Sequence, residues 1–525
     1  MRYIIVLLMC LTLSSCSKFL EEYTRDLKYA ENADDLNKLM IGEGFLNTLS
    51  LSIYSQSTMG ELTSETGFIA PWLHVMDDDC EQFVADFVET SQATPLYMLS
   101  GFHNWAQAPA VNILNMTWEE SSWRKFYKRT GALNAIIFQA SKLAEGGDQS
   151  DLLKHLRGEA HFLRAYYYFM LQNIYGSPYR KSTAATDPGV PLKVSEKIED
   201  NFFSRDPNQK VYDQIIADLQ TAAGLLDGYN PNTKIRIGIA AVKALQSRVY
   251  LYTEQYDKVI DAAKDFETMG YSLVNLNQFV SGSNFTSRAS TETIFTMGTN
   301  VMPAVFMNDS LSRWNGDDNR ASSFKASVNL MDSYDPSDLR LDAFFDRATK
   351  SRSWIPAKYR TWRTYNDPDQ VSCIFSFRFA EVVLNRAEAL AMIGADGEAR
   401  TELQKLREMR FSNATISQLP QGNQALVEFI REERRRELCF EGHRWFDLRR
   451  YAVNSKYPLP SSFTIRHPAY RYDAQSNTHT QIGNYVLKSI AEDGAAWQVP
   501  IPDYAIEFNR GSLTNPVRNV RQPQP

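Results

Sequence analysis

The sequence predicts a mainly α protein. Helix pairs stack into a curved scaffold, and a large, irregular, loop-rich part packs on it. Three observations carry this expectation. Apolar residues recur at three- and four-residue steps, as in Trp123, Phe126, Tyr127, Leu133, Ile136, Ile137 and Leu143. Three such stretches share a pattern, Leu163-Arg164-Ala165, Ser247-Arg248-Val249 and Asn385-Arg386-Ala387, each with Ala or Gly a turn earlier, where a small side chain lets a second helix approach. Two blocks, residues 41–110 and 273–375, keep no period and are rich in polar and turn-forming residues.

Taken in order, the chain opens M-R-Y-I-I-V-L-L-M-C-L-T-L-S-S-C. Arg2 and the apolar run 3–13 read as a secretory leader, since about eleven residues are too few to span a bilayer. Leu13-Ser14-Ser15-Cys16 resembles a bacterial lipobox, which implies cleavage before Cys16 and acylation of that cysteine. Acyl chains, at about 0.8 kcal/mol per buried methylene, hold a protein on a membrane without a spanning helix. The expected organisation is therefore a leader at 1–15 and a single domain at 16–525, with an N-terminal half of about 16–270 and a C-terminal half of about 271–525.

Residues 17–40 read as a charged tether that becomes helical, and 41–110 as a long loop region. Helices follow from Trp118 and, with Asp151 as N-cap, from 151 to the terminator Gly176. In the second of these, Gly158-Glu159-Ala160-His161-Phe162-Leu163-Arg164-Ala165-Tyr166-Tyr167-Tyr168 carries a tyrosine row that wraps more than one face, so its rings are expected to pack on other helices. Residues 178–205 are a connector. Val211, Tyr212, Ile215, Ile216, Leu219 and Ala222 form the inner face of the next helix. Pairs at 237–253 with 256–269, and at 377–393 with 398–410, resemble degenerate tetratricopeptide repeats. The stretch I-R-E-E-R-R-R-E-L-C-F-E-G-H-R-W-F-D-L-R-R, residues 430–450, interleaves opposite charges at helical spacing, such as Glu432 with Arg436 and Glu441 with Arg444, and ends in the plug Trp445, Phe446 and Leu448. It reads as an anchoring helix, neutralised by its own glutamates and loosened at Gly442.

That stretch, from Arg431 to Arg449, resembles the C-terminal signature of the SusD/RagB family. The 158–168 motif and the tail W-Q-V-P-I-P-D-Y-A-I-E-F-N from Trp497 resemble the same family, although Glu507 stands further from the second proline than is usual there. The resemblance implies a SusD-like fold and a lipid-anchored outer-membrane protein facing the cell exterior, for which Glu21 and Glu22 resemble an acidic export tag. It also implies capture of a nutrient, most often a glycan, and delivery to a SusC-like TonB-dependent transporter. Sites in the family lie in loops outside these motifs.

Composition fits. A net charge of −6 supplies no basic face for nucleic acid, and 12% aromatic residues, most of them expected in the core, would suit a sugar-binding or protein-binding role where they reach the surface. The loop-borne candidates are Trp72, Trp105 and Trp314, with His74, Asp77, Asp78, Asn104, Asn315 and Asp317 as polar partners. Trp118, Trp123, Trp445 and Trp497 are assigned to the core. M-D-D-D-C at 76–80 lacks the spacing of a calcium loop and reads as a solvated acidic turn, so no metal and no cofactor are expected. Five cysteines, two of them Cys10 and Cys16, leave three, too few for a disulfide framework. No G-x-S-x-G, H-E-x-x-H or P-loop points to catalysis. The readings carried forward are a non-catalytic glycan-binding protein, a helical glycoside hydrolase, a lipoprotein for peptide or another nutrient, and a purely structural adaptor.

Overall fold

The computed structural model describes residues 30–47, 68–83, 95–112, 115–306, 323–348, 352–360, 369–413, 418–473, 475–476 and 478–525. Its main helices are α1 (Ala33–Leu39), α2 (Pro95–His103), α3 (Ser122–Glu145), α4 (Asp151–Tyr175), α5 (Asn208–Leu225), α6 (Ile239–Tyr252), α7 (Tyr256–Ala262), α8 (Phe379–Ile393), α9 (Asp396–Glu408), α10 (Asn423–Leu438), α11 (Arg444–Ala452) and α12 (Asp503–Phe508). The strands among the described residues form two-stranded antiparallel ribbons: β1 (Cys80–Phe83) with β3 (Ser323–Ala326), β2 (Thr293–Thr296) with β6 (Ser376–Arg378), β4 (Phe345–Arg347) with β5 (Trp354–Pro356), and β7 (Ile465–Asp473) with β8 (Thr478–Leu487). The mainly helical expectation holds. The loop reading of 41–110 missed α2, and the hairpin β7–β8 was not foreseen.

Helix α4 is the hub. Ser150, one residue before the expected cap, accepts from Leu153 N and starts it, and Gly176 ends it. Its second half is buried on every side. The tyrosine hydroxyls find acceptors in four different segments: Tyr166 donates to Ile374 O (3.2 Å), Tyr167 to Gly44 O (2.6 Å), Tyr168 to Lys193 O (2.7 Å) and Tyr175 to the Glu120 carboxylate (2.8 Å). Each ring thus adds apolar area to the core while its polar end stays satisfied. A Cβ on Gly158 would lie 2.5 Å from Leu226 Cγ, so the small residue in the motif is what lets the α5 end sit against α4.

The arginine of each shared motif bridges to another helix. Arg164 on α4 reaches Asp218 on α5 at 2.6 Å, Arg248 on α6 reaches Glu381 on α8 at 2.6 Å, and Arg386 on α8 reaches Glu402 on α9 at 2.9 Å. The degenerate repeat is therefore a repeated guanidinium–carboxylate clasp between stacked helices.

Helix α10 carries the densest such network, and here the local pairing expected from spacing gives way. Glu441 binds Arg378 and Lys358 rather than Arg444, and Arg444 clamps Asp78. Arg436 pairs with Glu433, not Glu432. Glu437 accepts from Arg378, Arg410 and Arg340, and Glu433 pairs with Arg340 and Arg407. Arg434 holds Asp447 at 2.7 Å, and Arg431 and Arg450 share Glu388. The run is neutralised mainly from distant elements because it is buried, and a buried charge must find a partner wherever the fold supplies one. Burial opposes the ionised form of Glu433 and Glu437, yet the surrounding guanidiniums hold both carboxyls well below the usual range. Phe440 and Gly442 take positive φ (60° and 76°), and this tight turn separates α10 from α11.

Cys80, Cys373 and Cys439 are unpaired and buried, and burial pushes the Cys373 thiol up to about 12 and that of Cys439 up to about 11.

Candidate functional site

Four of the loop residues expected at a ligand site, Trp72, His74, Asp77 and Trp105, are instead buried in the core, and Asp78 is partly buried beside them. Trp72 stacks on Phe102 (4.7 Å between ring centres, 7° between planes) and points its indole N–H at Glu120. Trp105 stacks on His467 and donates to Met76 O at 2.9 Å. His74 lies 3.4 Å from Cys373 Sγ, and burial lowers its pKa to about 3. Trp72 and Trp105 are 1% and 0% exposed, so neither can offer a face to a sugar.

Asp77 and Asp78 belong to a turn that lies under the anchoring stretch, not to the solvated turn expected. Asp78 accepts two hydrogen bonds from Arg444 (2.7 and 2.8 Å), and Asp79 accepts from Arg435 (2.7 Å). Burial works against the charge on Asp78, but Arg435 and Arg444 hold its carboxyl well below the usual range. Asp77 goes the other way, pushed up by burial and by its acidic neighbours. The three carboxyls lie close together, and two guanidiniums already meet their charge from inside the protein. Asn104 sits in the turn after α2 with a hydrogen bond to Ser100 O. Trp314, Asn315 and Asp317 lie outside the described residues.

The site that does open to solvent lies elsewhere. A groove of about 490 Å³ is built from the first turns of α3, the connector at 191–203 and the C-terminal segment around α12. Its walls are Trp123, Tyr127, Phe203, Tyr504, Phe508 and Leu513, with Arg124, Lys128, Lys193 and Asn509 among the polar groups. Several constraints fix the walls. Tyr127 donates to Pro191 O (2.8 Å), which ties α3 to the connector. Tyr504 donates to Glu120 O (3.2 Å) and accepts from Arg124 N (3.3 Å), while the Arg124 guanidinium sits 5.5 Å from its ring centre. Asn509 accepts from Phe203 N (2.7 Å) and donates to Ala505 O (2.8 Å), so its amide joins connector to tail. Phe508 is 74% exposed, an unusual position for a large apolar ring and one that leaves it free for a ligand.

The volume falls within the roughly 300–1,000 Å³ of small-molecule sites. Aromatic faces and a few polar groups are what the apolar face and hydroxyls of a sugar require. Among the described residues that line the groove there is no Asp or Glu, whereas glycoside hydrolysis needs a pair of carboxyls.

Two family models match the chain. One, described as the SusD family, matches residues 313–517, and the other, described as starch-binding and associating with the outer membrane, matches residues 77–251. The chain belongs to the SusD/RagB family. Among curated proteins it is similar to SusD-like protein P2 of Formosa agariphila, 25% identical over 64% of this chain and 72% of that one, and to SusD-like protein P38 of the same organism, also 25% identical, over 64% and 73%. Among solved structures it resembles a SusD superfamily protein from Bacteroides thetaiotaomicron (TM-score 0.63, 20% identity, covering 92% of this chain and 99% of that one). It also resembles a SusD-like carbohydrate binding protein from Bacteroides vulgatus (TM-score 0.63, 19% identity, 92% and 97%). At these identities the structural likeness establishes the fold, which is the SusD one.

Within this SusD-type chain, no helix among the described residues is long and apolar enough to cross a membrane. Trp118, Trp445 and Trp497 are buried as expected; Trp123 is too, yet its edge reaches the groove. Sequence reasoning missed Tyr504 and Phe508. Their four-residue spacing on a helix after P-I-P is the signal that points to a shared face.

Proposed function

We propose that this protein is a non-catalytic binding protein that captures a carbohydrate, most simply an oligosaccharide, at the cell surface and hands it to a SusC-like TonB-dependent outer-membrane transporter. The observation that carries the reading is the open groove walled by Tyr127, Tyr504 and Phe508, with no Asp or Glu among its described lining residues. The description of one matching family as starch-binding and associating with the outer membrane supports both ligand class and location. Acyl chains on Cys16 would tether the protein beside its partner, so that transfer becomes effectively intramolecular. The stretch with Trp314, Asn315 and Asp317 remains a proposed second contact.

The carboxylates at the heart of the scaffold argue against hydrolysis there, because Glu433, Glu437 and Glu441 are each locked between cations. The deciding experiment is a glycan array probed with the lipid-free chain from Ser17 onward, followed by calorimetry on the hits. The expected dissociation constants are micromolar to millimolar, roughly −8 to −4 kcal/mol, since the ligand must be released. Phe508→Ala should weaken binding. New reducing ends on incubation with oligosaccharides, or binding of peptides alone, would overturn the reading.

A further inference from the structure

We infer that the groove selects carbohydrates that carry an anionic substituent, a uronate carboxylate or a sulfate ester. This rests on the carbohydrate reading above and narrows it.

The chain as a whole is acidic, with 62 Asp and Glu against 56 Lys and Arg. The groove runs against that trend: among the described residues that line it are Arg124, Lys128 and Lys193 and no Asp or Glu. Lys128 is exposed and has no ion-pair partner among the described residues. Arg124 pairs with Glu119, and Lys193 pairs with Glu199 at 2.5 Å. All four of those side chains are solvent-accessible, and exposed pairs contribute only about 0–1 kcal/mol, so an incoming anion can replace either glutamate.

Behind the wall lies a further cation, Arg205, beside the carboxylate of Asp206. Arg205 hydrogen-bonds to Tyr175 O, Gly189 O, Thr514 O and the Asn515 amide oxygen, all of them neutral acceptors. Burial lowers its pKa to about 10, which leaves it charged at neutral pH. Those contacts leave its charge uncancelled, but the Asp206 carboxylate acts on Tyr127 in the opposite sense, so the rim cations Arg124, Lys128 and Lys193 carry the positive character of the groove. Aromatic walls seat the ring of a sugar, and the cationic rim gives an anionic group on that ring somewhere to go.

The test is an array carrying uronate, sulfated and neutral oligosaccharides, with calorimetry on the best binder of each kind at low and high salt. The expected result is that a uronate or a sulfated glycan binds at least about tenfold more tightly than the best neutral one, and that salt erodes the difference. Which of the two anions is preferred identifies the source of the charge. Lys128→Glu, a change at an exposed position, should abolish the preference, and Phe508→Ala should weaken anionic and neutral ligands alike. Equal or better binding of neutral glycans overturns the inference and leaves carbohydrate binding intact. Anionic binding untouched by both substitutions overturns it by locating the site elsewhere, and no binding to any glycan overturns this inference and the carbohydrate reading together.

Discussion

Arg248 holds Glu381 through two parallel hydrogen bonds of 2.6 Å each, although both side chains are buried and they stand 133 residues apart in the chain. The clasp locks α6 to α8, and Arg248 also lies 4.3 Å from the centre of the Phe377 ring. Removing one partner leaves the other as an uncompensated buried charge. Arg248→Ala is therefore expected to cost about 3–5 kcal/mol, and the double change Arg248→Met with Glu381→Leu to cost much less. Urea denaturation of the two variants beside the parent chain checks this; equal losses for the single and double changes would contradict it.

Acid should destabilise the fold in two stages. Burial lowers the pKa of His74 to about 3 and that of His467 to about 4, both below the unfolded value of 6.5. The unfolded chain therefore takes up protons first, and stability present above pH 6.5 falls as pH drops below it. The second stage comes from carboxylates such as Glu388, which Arg450 and Arg431 hold down at about 2 against the opposing effect of burial. Its contribution is complete above the ordinary value of 4.5 and is lost as pH falls towards 2. Denaturant midpoints measured from pH 8 to pH 3 should decline gently at first and then steeply.

The two classes of aromatic ring should respond oppositely to truncation. Trp105→Ala, in a packed stack with His467 and His103, should lower stability by about 3–5 kcal/mol. Phe508→Ala, at an exposed ring, should change stability by no more than about 0.5 kcal/mol while weakening ligand. Thermal melts and calorimetry on the same two variants separate the roles.

Gly158→Ala should destabilise the protein by about 1–3 kcal/mol, because the new methyl meets Leu226 from α4's side of the α4–α5 contact. Trimming the neighbour with Leu226→Ala in the same chain should recover part of the new strain, so the double variant should lose less than the sum of the single ones, as a double-mutant cycle would register.

Much of the scaffold was legible because helices buried on one side write their period into the sequence. The stretches at 237–253, 377–393 and 398–410 correspond to α6, α8 and α9 with ends displaced by a few residues at most. The SusD motifs were equally readable. What local pattern could not reveal was which of two equally suitable partners a side chain would take. Arg444 stands three residues from Glu441 and binds Asp78 instead, because the turn at 77–79 folds beneath α10. The same limit explains Trp105: only the hairpin strand β7, bringing His467 from the far end of the chain, turns a loop tryptophan into a core one. The groove draws on residues 123–128, 191–203 and 504–513, and no single window of sequence contains it.

The three interior thiols bear on how the chain would fare in the oxidising surroundings of the location proposed above. Oxidants attack the deprotonated sulfur; Cys373 and Cys439, pushed up to about 12 and about 11, supply almost none of it at neutral pH, and burial pushes the Cys80 thiol up as well. Once folded, the molecule keeps all three described cysteines inside, where none can mispair with a neighbouring chain.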